Sequence, residues 1–249
     1  MRPESVLALL LCLALAGPAE AWEKAPKPAA RLSEAGRSNV MLAQAYLEAG
    51  KVDAAEQRAK AALASDGDVA VAHATMALVR AKQNQHDKAR GEFKRALALA
   101  PADGAVLNAY GSWLCGQGER EAADAAFQLA LQDRMNSTLQ PLVNAGQCAL
   151  MGREWSKGEG YLRQALAIAP RNRSILLMLG ETQLQLGRPM EARAFVERAD
   201  SLGPDARTLA MAVRAEDAAG DAISSARYRK RLNQEFPNYK PTGEGAPKQ

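Results

Sequence analysis

One spacing constrains this chain more than any other feature. A small residue recurs as Ala55, Ala89 and Ala123, then as Gly158, Ala192 and Ala226, at intervals of 34, 34, 35, 34 and 34 residues. Four other rows keep step with it. Twelve residues earlier stand Ala43, Ala77, Gly111, Gly146, Gly180 and Arg214. Four residues later come Ala59, Phe93, Phe127, Leu162, Val196 and Lys230, and seven later Ala62, Ala96, Ala130, Ala165, Ala199 and Asn233. Twelve later come Gly67, Pro101, Met135, Pro170, Pro204 and Asn238. A small residue is required where two helices cross closely, because a branched side chain there forces them apart; the Phe row fills the space that is left. Proline stops the second helix of each pair. Gly50, Gly118, Gly187 and Gly220 mark the turns between the paired helices.

A period of 34 residues with this pattern resembles the tetratricopeptide repeat (TPR), a helix–turn–helix unit that buries its apolar face only by stacking on its neighbours. The resemblance implies an all-α fold, a right-handed solenoid of about six units starting near residues 36, 70, 104, 139, 173 and 207. Units 2 to 5 fit the pattern well, and unit 1 lacks the Phe and the Pro. In unit 6 Arg214, Lys230 and Asn233 occupy positions that are apolar elsewhere, which reads as a capping unit with a solvated outer face. The single extra residue falls within 129–141, so a longer loop or a shifted helix start is expected between units 3 and 4. The solenoid is therefore set at 36–238, after a Pro- and Lys-containing linker at 22–35 and before a tail at 239–249.

The first 21 residues read as an export signal. Arg2 supplies a positive charge, Val6 to Ala16 form an apolar run too short to span a bilayer, and Ala19-Glu20-Ala21 offers a cleavage site before Trp22. Leu15-Ala16-Gly17 would precede a lipidated cysteine in a lipobox, but Pro18 stands in the cysteine's place. The expectation is an exported, periplasmic chain without a lipid anchor and without a transmembrane segment after cleavage.

Candidates for chemistry are few. The net charge of +4 is spread over both signs, with no basic run of the kind that binds nucleic acid. His73 and His86 have no further ligand at metal spacing, and no phosphate-binding or hydrolase motif is present. An enzyme is not expected, and neither a cofactor nor a metal is implied. Export leaves two cysteines, Cys115 and Cys148. They sit four and two residues after the glycines of neighbouring first helices, a difference of about 200° around the helix. One can then face forward and the other back. In an oxidising compartment this favours a Cys115–Cys148 disulfide, the alternative being two buried thiols.

The TPR resemblance also implies a concave binding face built from the first helix of each unit. Carried onto this chain it comprises Val40, Gln44 and Leu47; Val71, Ala74 and Leu78; Asn108 and Ser112; Gln140, Val143, Gln147 and Leu150; and Leu177, Glu181 and Leu184. Such a face is apolar with amides interspersed. It lacks the basic cluster that clamps a terminal carboxylate and suits an extended or amphipathic segment of a protein partner.

A closer resemblance rests on VLNAYGSWLCGQGEREAADAAF (106–127), on LVNAGQCAL (142–150) after the irregular joint, and on the last unit, ARTLAMAVRAEDAAGDAISSARYRKRLNQEFPNY (206–239). These segments are similar to the type IV pilus biogenesis and stability proteins of the PilF/PilW type, the pilotins. That resemblance implies a non-enzymatic envelope protein that binds the pilus secretin and aids its assembly in the outer membrane. The missing lipobox cysteine departs from that family. The alternative is another exported TPR adaptor, in cytochrome maturation or cell-wall machinery.

Overall fold

The computed structural model describes residues 32–240. The expected leader, the linker up to residue 31 and the tail from residue 241 lie outside them. The described residues form twelve α-helices arranged as six antiparallel pairs. The first helices are α1 (Glu34–Glu48), α3 (Ala70–Lys82), α5 (Gly104–Gly116), α7 (Leu139–Met151), α9 (Arg173–Gln185) and α11 (Ala206–Ala219). Their partners are α2 (Val52–Asp66), α4 (His86–Leu99), α6 (Arg120–Ala130), α8 (Trp155–Ile168), α10 (Pro189–Asp200) and α12 (Ala222–Glu235). Each first helix packs against its own partner, against the second helix before it and against the first helix of the next unit, which is the connectivity of a TPR solenoid.

Within each pair the crossing is as close as the small residues allow. A Cβ on Gly111 would sit 2.8 Å from the Phe127 ring and 3.1 Å from the Ala123 carbonyl oxygen. One on Gly146 would meet Leu162 at 2.8 Å, and one on Gly158 would meet Leu150 at 2.5 Å. All six intra-pair turns close in the same way, through a backbone N–H donating to the carbonyl five residues back: Lys51 to Tyr46, Gln85 to Arg80, Glu119 to Leu114, Glu154 to Ala149, Arg188 to Gln183 and Asp221 to Glu216, at 2.8–3.0 Å. The left-handed residue in these turns is glycine in four units, with Asn84 and Arg153 in the others.

Polar clasps join one pair to the next, and they fall on a regular position: the residue after the signature small one. Glu56 accepts from Arg80 at 3.1 Å and from Gln83 at 2.6 Å. Arg90 donates to Glu119 at 2.5 Å. Asp124 accepts from the Tyr161 hydroxyl at 2.7 Å and pairs with Lys157 at 3.0 Å. Glu159 accepts from Gln183 at 2.8 Å and pairs with Arg188. Arg193 pairs with the buried Glu216 and with Asp221.

Two expectations need correction, and a third is met in part. The sixth unit is set one residue earlier than the 34-residue register assumes. Ser225, not Ala226, is buried at the signature site, and Val213, not Arg214, occupies the crossing position. Leu232 and Pro237 then stand seven and twelve residues on, so Lys230 and Asn233 are ordinary surface residues rather than polar substitutes in the core. The residue is lost in the connection between α10 and α11, where Gly203 takes a φ of 112°. Second, the linker ends earlier than residue 35. Leu32 packs on Val40, Ala62 and Val69, and the Ser33 hydroxyl accepts from Gly36 N–H at 3.0 Å to cap α1. Third, the irregular joint has the expected longer connection, running through 131–138, but its length comes from an early end of α6 and not from a shifted start of α7. Asp133 organises it, accepting from the backbone N–H of Gly104 and of Met135, each at 2.8 Å. These bonds, the Gly104 one foremost, hold the Asp133 carboxyl below its ordinary range.

Two outcomes follow. Gly111→Leu is expected to destabilise the chain by about 1–3 kcal/mol or more, because neither the Phe127 ring nor the α6 backbone can withdraw; thermal unfolding by circular dichroism measures this. Glu56 is held down to about 2, first by the hydrogen bond from Lys60, then by that from Gln83 and by the Arg80 charge. A depressed folded value means stability that is complete above the ordinary 4.5 and is lost as pH falls through about 2. The stability gap between the wild type and Glu56→Gln is therefore expected to be constant above pH 4.5 and to shrink below it, as read from denaturant midpoints across pH.

Candidate functional site

The first helices sit inside the curve, and between them lies an open cleft of about 770 Å³. Four units contribute to it. From α1 come Gln44, Leu47 and Glu48; from α3 Leu78, Ala81 and Lys82; from α5 Asn108, Ala109, Ser112 and Trp113; from α7 Gln140 and Asn144. The surface is mostly aliphatic and small, with amides along one side.

Those amides form a ladder between α5 and α7. Asn144 donates to the Asn108 side-chain oxygen and to the Ser112 hydroxyl, both at 3.0 Å, and accepts from Gln140 at 2.9 Å. The ladder leaves the amide N–H₂ of Asn108 and the amide oxygen of Gln140 without an intramolecular bond among these contacts, so a donor and an acceptor remain on the lining of the cleft. Behind them Trp113 stacks with Tyr110, packs at a tilt on Phe93, with ring centroids 5.9 and 5.5 Å away, and carries the Arg90 guanidinium over its face at 4.7 Å. The Trp113 indole N–H is buried and has no hydrogen-bond partner.

Cys115 and Cys148 are joined as a disulfide that ties α5 to α7 beside this ladder, with a Cα separation of 5.8 Å. A small hollow of about 180 Å³ lies over it, lined among others by Ser112, Gln147, Cys148 and Met151.

Of the residues expected on the concave face, Gln44, Leu47, Leu78, Asn108, Ser112 and Gln140 meet in the cleft, and Gln147 lies in the adjoining hollow. Others are not available to a partner. Val40, Ala74 and Leu177 are buried in the core. Leu150 turns back onto Gly158 of its own pair, so it belongs to the intra-pair crossing. Val71 and Val143 are half-buried against the main core. Glu181 is engaged by Arg214 at 2.5 Å and by Gln185, and Leu184 touches neither cavity. The residues missed include Glu48, Lys82, Gly116 and Met151. They lie four after Gln44, Leu78, Ser112 and Gln147, one turn along the same stripe, and that i+4 relation was the signal available in the sequence.

His73 has a structural task. Its ring nitrogens lie 2.7 Å from Glu92 and 3.2 Å from Asp68, and Asp68 is also held by Arg95. Among the described residues no cluster of three His, Cys, Asp or Glu side chains could hold a metal, and no helix is long and apolar enough to cross a membrane.

Comparison with known proteins agrees with this architecture. Tetratricopeptide repeat family models match residues 40–103 and 154–216. The type IV pilus assembly protein PilF of Pseudomonas aeruginosa is 26% identical over 244 residues, 95% of each chain. A solved structure of Pseudomonas aeruginosa PilF superimposes with a TM-score of 0.67 at 25% identity, covering 83% of this chain and 94% of that one. The crystal structure of PilW, a widely conserved type IV pilus biogenesis factor, gives a TM-score of 0.71 at 24% identity over 84% of this chain and 96% of that one, and shares its fold.

Alkylation of the purified protein without reductant is expected to leave Cys115 and Cys148 unmodified in mass spectrometry. Reduction is expected to lower stability by about 3–4 kcal/mol, the chain-entropy value for a loop of this length.

Proposed function

The chain belongs to the tetratricopeptide repeat family, and on that premise we propose that it is a non-enzymatic scaffold of type IV pilus biogenesis. It works in the periplasm, binds the secretin subunit through the concave cleft, and aids that subunit's assembly or stability in the outer membrane. The observation that carries this reading is similarity to PilF along 95% of both chains, with the solenoid superimposing over most of its length. The cleft supports the binding mode. Its aliphatic floor around Leu47, Leu78 and Ala109 accepts apolar side chains, and the amide ladder offers a donor and an acceptor to the backbone of an extended segment. No catalytic group is required for such a role. The Cys115–Cys148 disulfide belongs to it as the strap that holds α5 and α7 at the ladder's spacing.

The test is genetic and biochemical. Loss of the gene is expected to reduce twitching motility and the amount of secretin multimer seen on gels; normal levels of both would end this reading. Leu47→Glu and Leu78→Glu each place a charge in the cleft, at half-buried positions whose inner sides also rest on the core. Both are expected to weaken secretin binding by tenfold or more, roughly the effect of losing one interface anchor, while leaving the helical circular dichroism signal intact. A collapse of that signal would show that these leucines belong to the core.

A further inference from the structure

The first helices of units 1 to 4 end on equivalent residues: Glu48 on α1, Lys82 on α3, Gly116 on α5 and Met151 on α7. All four are exposed. Glu48, Lys82 and Gly116 line the cleft, and Gly116 and Met151 line the hollow over the disulfide. The row therefore reads acid, base, gap and thioether. Glu48 and Lys82 take part in no ion pair among the described residues. His86 is the remaining titratable side chain on the cleft lining.

Packing does not require a glycine at the gap. A Cβ on Gly116 would meet nothing within 4 Å, whereas one on Gly111 of the same helix would strike Phe127 at 2.8 Å. The missing side chain opens the hollow onto the cleft, and the two cavities share Gly116, Ser112 and Asn144. The hollow measures about 180 Å³, close to the roughly 150 Å³ that takes up benzene. Its walls are Phe127, the Cys115–Cys148 disulfide and Met151. Sulfur and aromatic walls favour an aromatic side chain over an aliphatic one.

We propose that the hollow anchors one aromatic side chain of an extended partner segment, whose flanking charges are set by Lys82 and Glu48. This rests on the reading of the cleft as a protein-binding face. Neighbouring first helices lie about 8–10 Å apart, a distance that an extended chain covers in about three residues. A segment laid across the row carries its aromatic residue at Gly116, an acidic residue about three positions away at Lys82, and a basic residue about three further at Glu48. Ser112 and Asn144, at the mouth of the hollow, belong to the amide ladder, so backbone contacts adjoin the anchor. A segment with its two charges exchanged sets like against like and is rejected.

Selection of a random displayed peptide library on the immobilised full chain tests this. The expected consensus is an aromatic residue, then an acidic one, then a basic one, at steps of about three residues in either chain direction. No consensus, or one without the aromatic residue, overturns the proposal. Gly116→Leu fills the mouth of the hollow from a position with open space, and Met151→Glu charges its lip at a residue that is 58% exposed. Each is expected to weaken the selected peptides at least about tenfold in fluorescence anisotropy, as loss of one anchor does, with the helical circular dichroism signal unchanged. Unchanged affinity in either folded variant overturns the anchor. Lys82→Glu is expected to replace the acidic residue of the consensus by a basic one, and a consensus that keeps the acid overturns the charge assignment. The peptides are random, so this outcome is independent of the client. The expected consensus together with normal secretin multimers after loss of the gene leaves the anchor standing and ends only the secretin reading.

Discussion

The whole molecule depends on how closely two helices can cross at a position without a side chain. At Gly111, Gly146 and Gly158 a Cβ would fall within 3 Å of the facing Phe127, Leu162 or Leu150. The residue four beyond the signature site is large because the residue at the crossing is small, and the two together set the angle and depth of each hairpin. That geometry repeats, so the hairpins stack with a constant turn and the first helices come to line the inside of the curve. The cleft is a consequence of this crossing rather than a separate construction. Nothing in its lining would converge if the hairpins opened by an ångström or two.

Stacking the hairpins is a different problem with a different solution. Between units the apolar contact is supplemented by a charged group placed beside the signature residue, reaching the next unit's first helix or turn or, from Asp124, its second helix. The sign of that group varies: Glu56, Arg90, Asp124, Glu159 and Arg193. Its partner varies to match, as Arg80 with Gln83, Glu119, Lys157 with Tyr161, Gln183 with Arg188, and Glu216 with Asp221. A carboxylate paired with an amide would be poorly satisfied by the next interface's carboxylate, so each clasp favours its own neighbour over a slipped one. In the sixth unit the corresponding residue is Ala226, where no further unit follows among the described residues.

The period, the helix pairs and the crossing residues were legible in the sequence because each is a local rule repeated in register. What escaped depends on comparing rows rather than reading them. The sixth unit is set one residue early, and an alanine at position 226 sits one step from the buried Ser225, so a fixed period selects the wrong one of two small residues. Gly187 and Gly220, which are 33 apart, and Pro204 and Pro237, also 33 apart, held the correction. The clasps escaped because their charge differs from unit to unit, and a search for like residues at a fixed period passes over them. On the concave face one row of positions was found and the row a helical turn further on was not. Val40, Ala74 and Leu177 were placed there because an apolar residue on a first helix satisfies the sequence criteria for groove and for core equally. Only the neighbouring helix decides between them.

The irregular joint shows how a solenoid tolerates a defect next to its binding surface. An inserted residue between units 3 and 4 shortens α6, and the longer connection through 131–138 would by itself let α7 ride loosely on α5. Three features oppose this on three levels. Asp133 binds the N-terminus of α5 at Gly104, fixing the connection to the unit it leaves. Asn144 bridges Asn108 and Ser112 across the concave side. Cys115 and Cys148 join the same two helices covalently, their Cα atoms 5.8 Å apart. The amide ladder is sensitive to this spacing, since a hydrogen bond at 3.0 Å is largely lost with a shift of an ångström. The disulfide is therefore best placed where the repeat itself is weakest. It holds the ladder in register where the inter-unit connection no longer does.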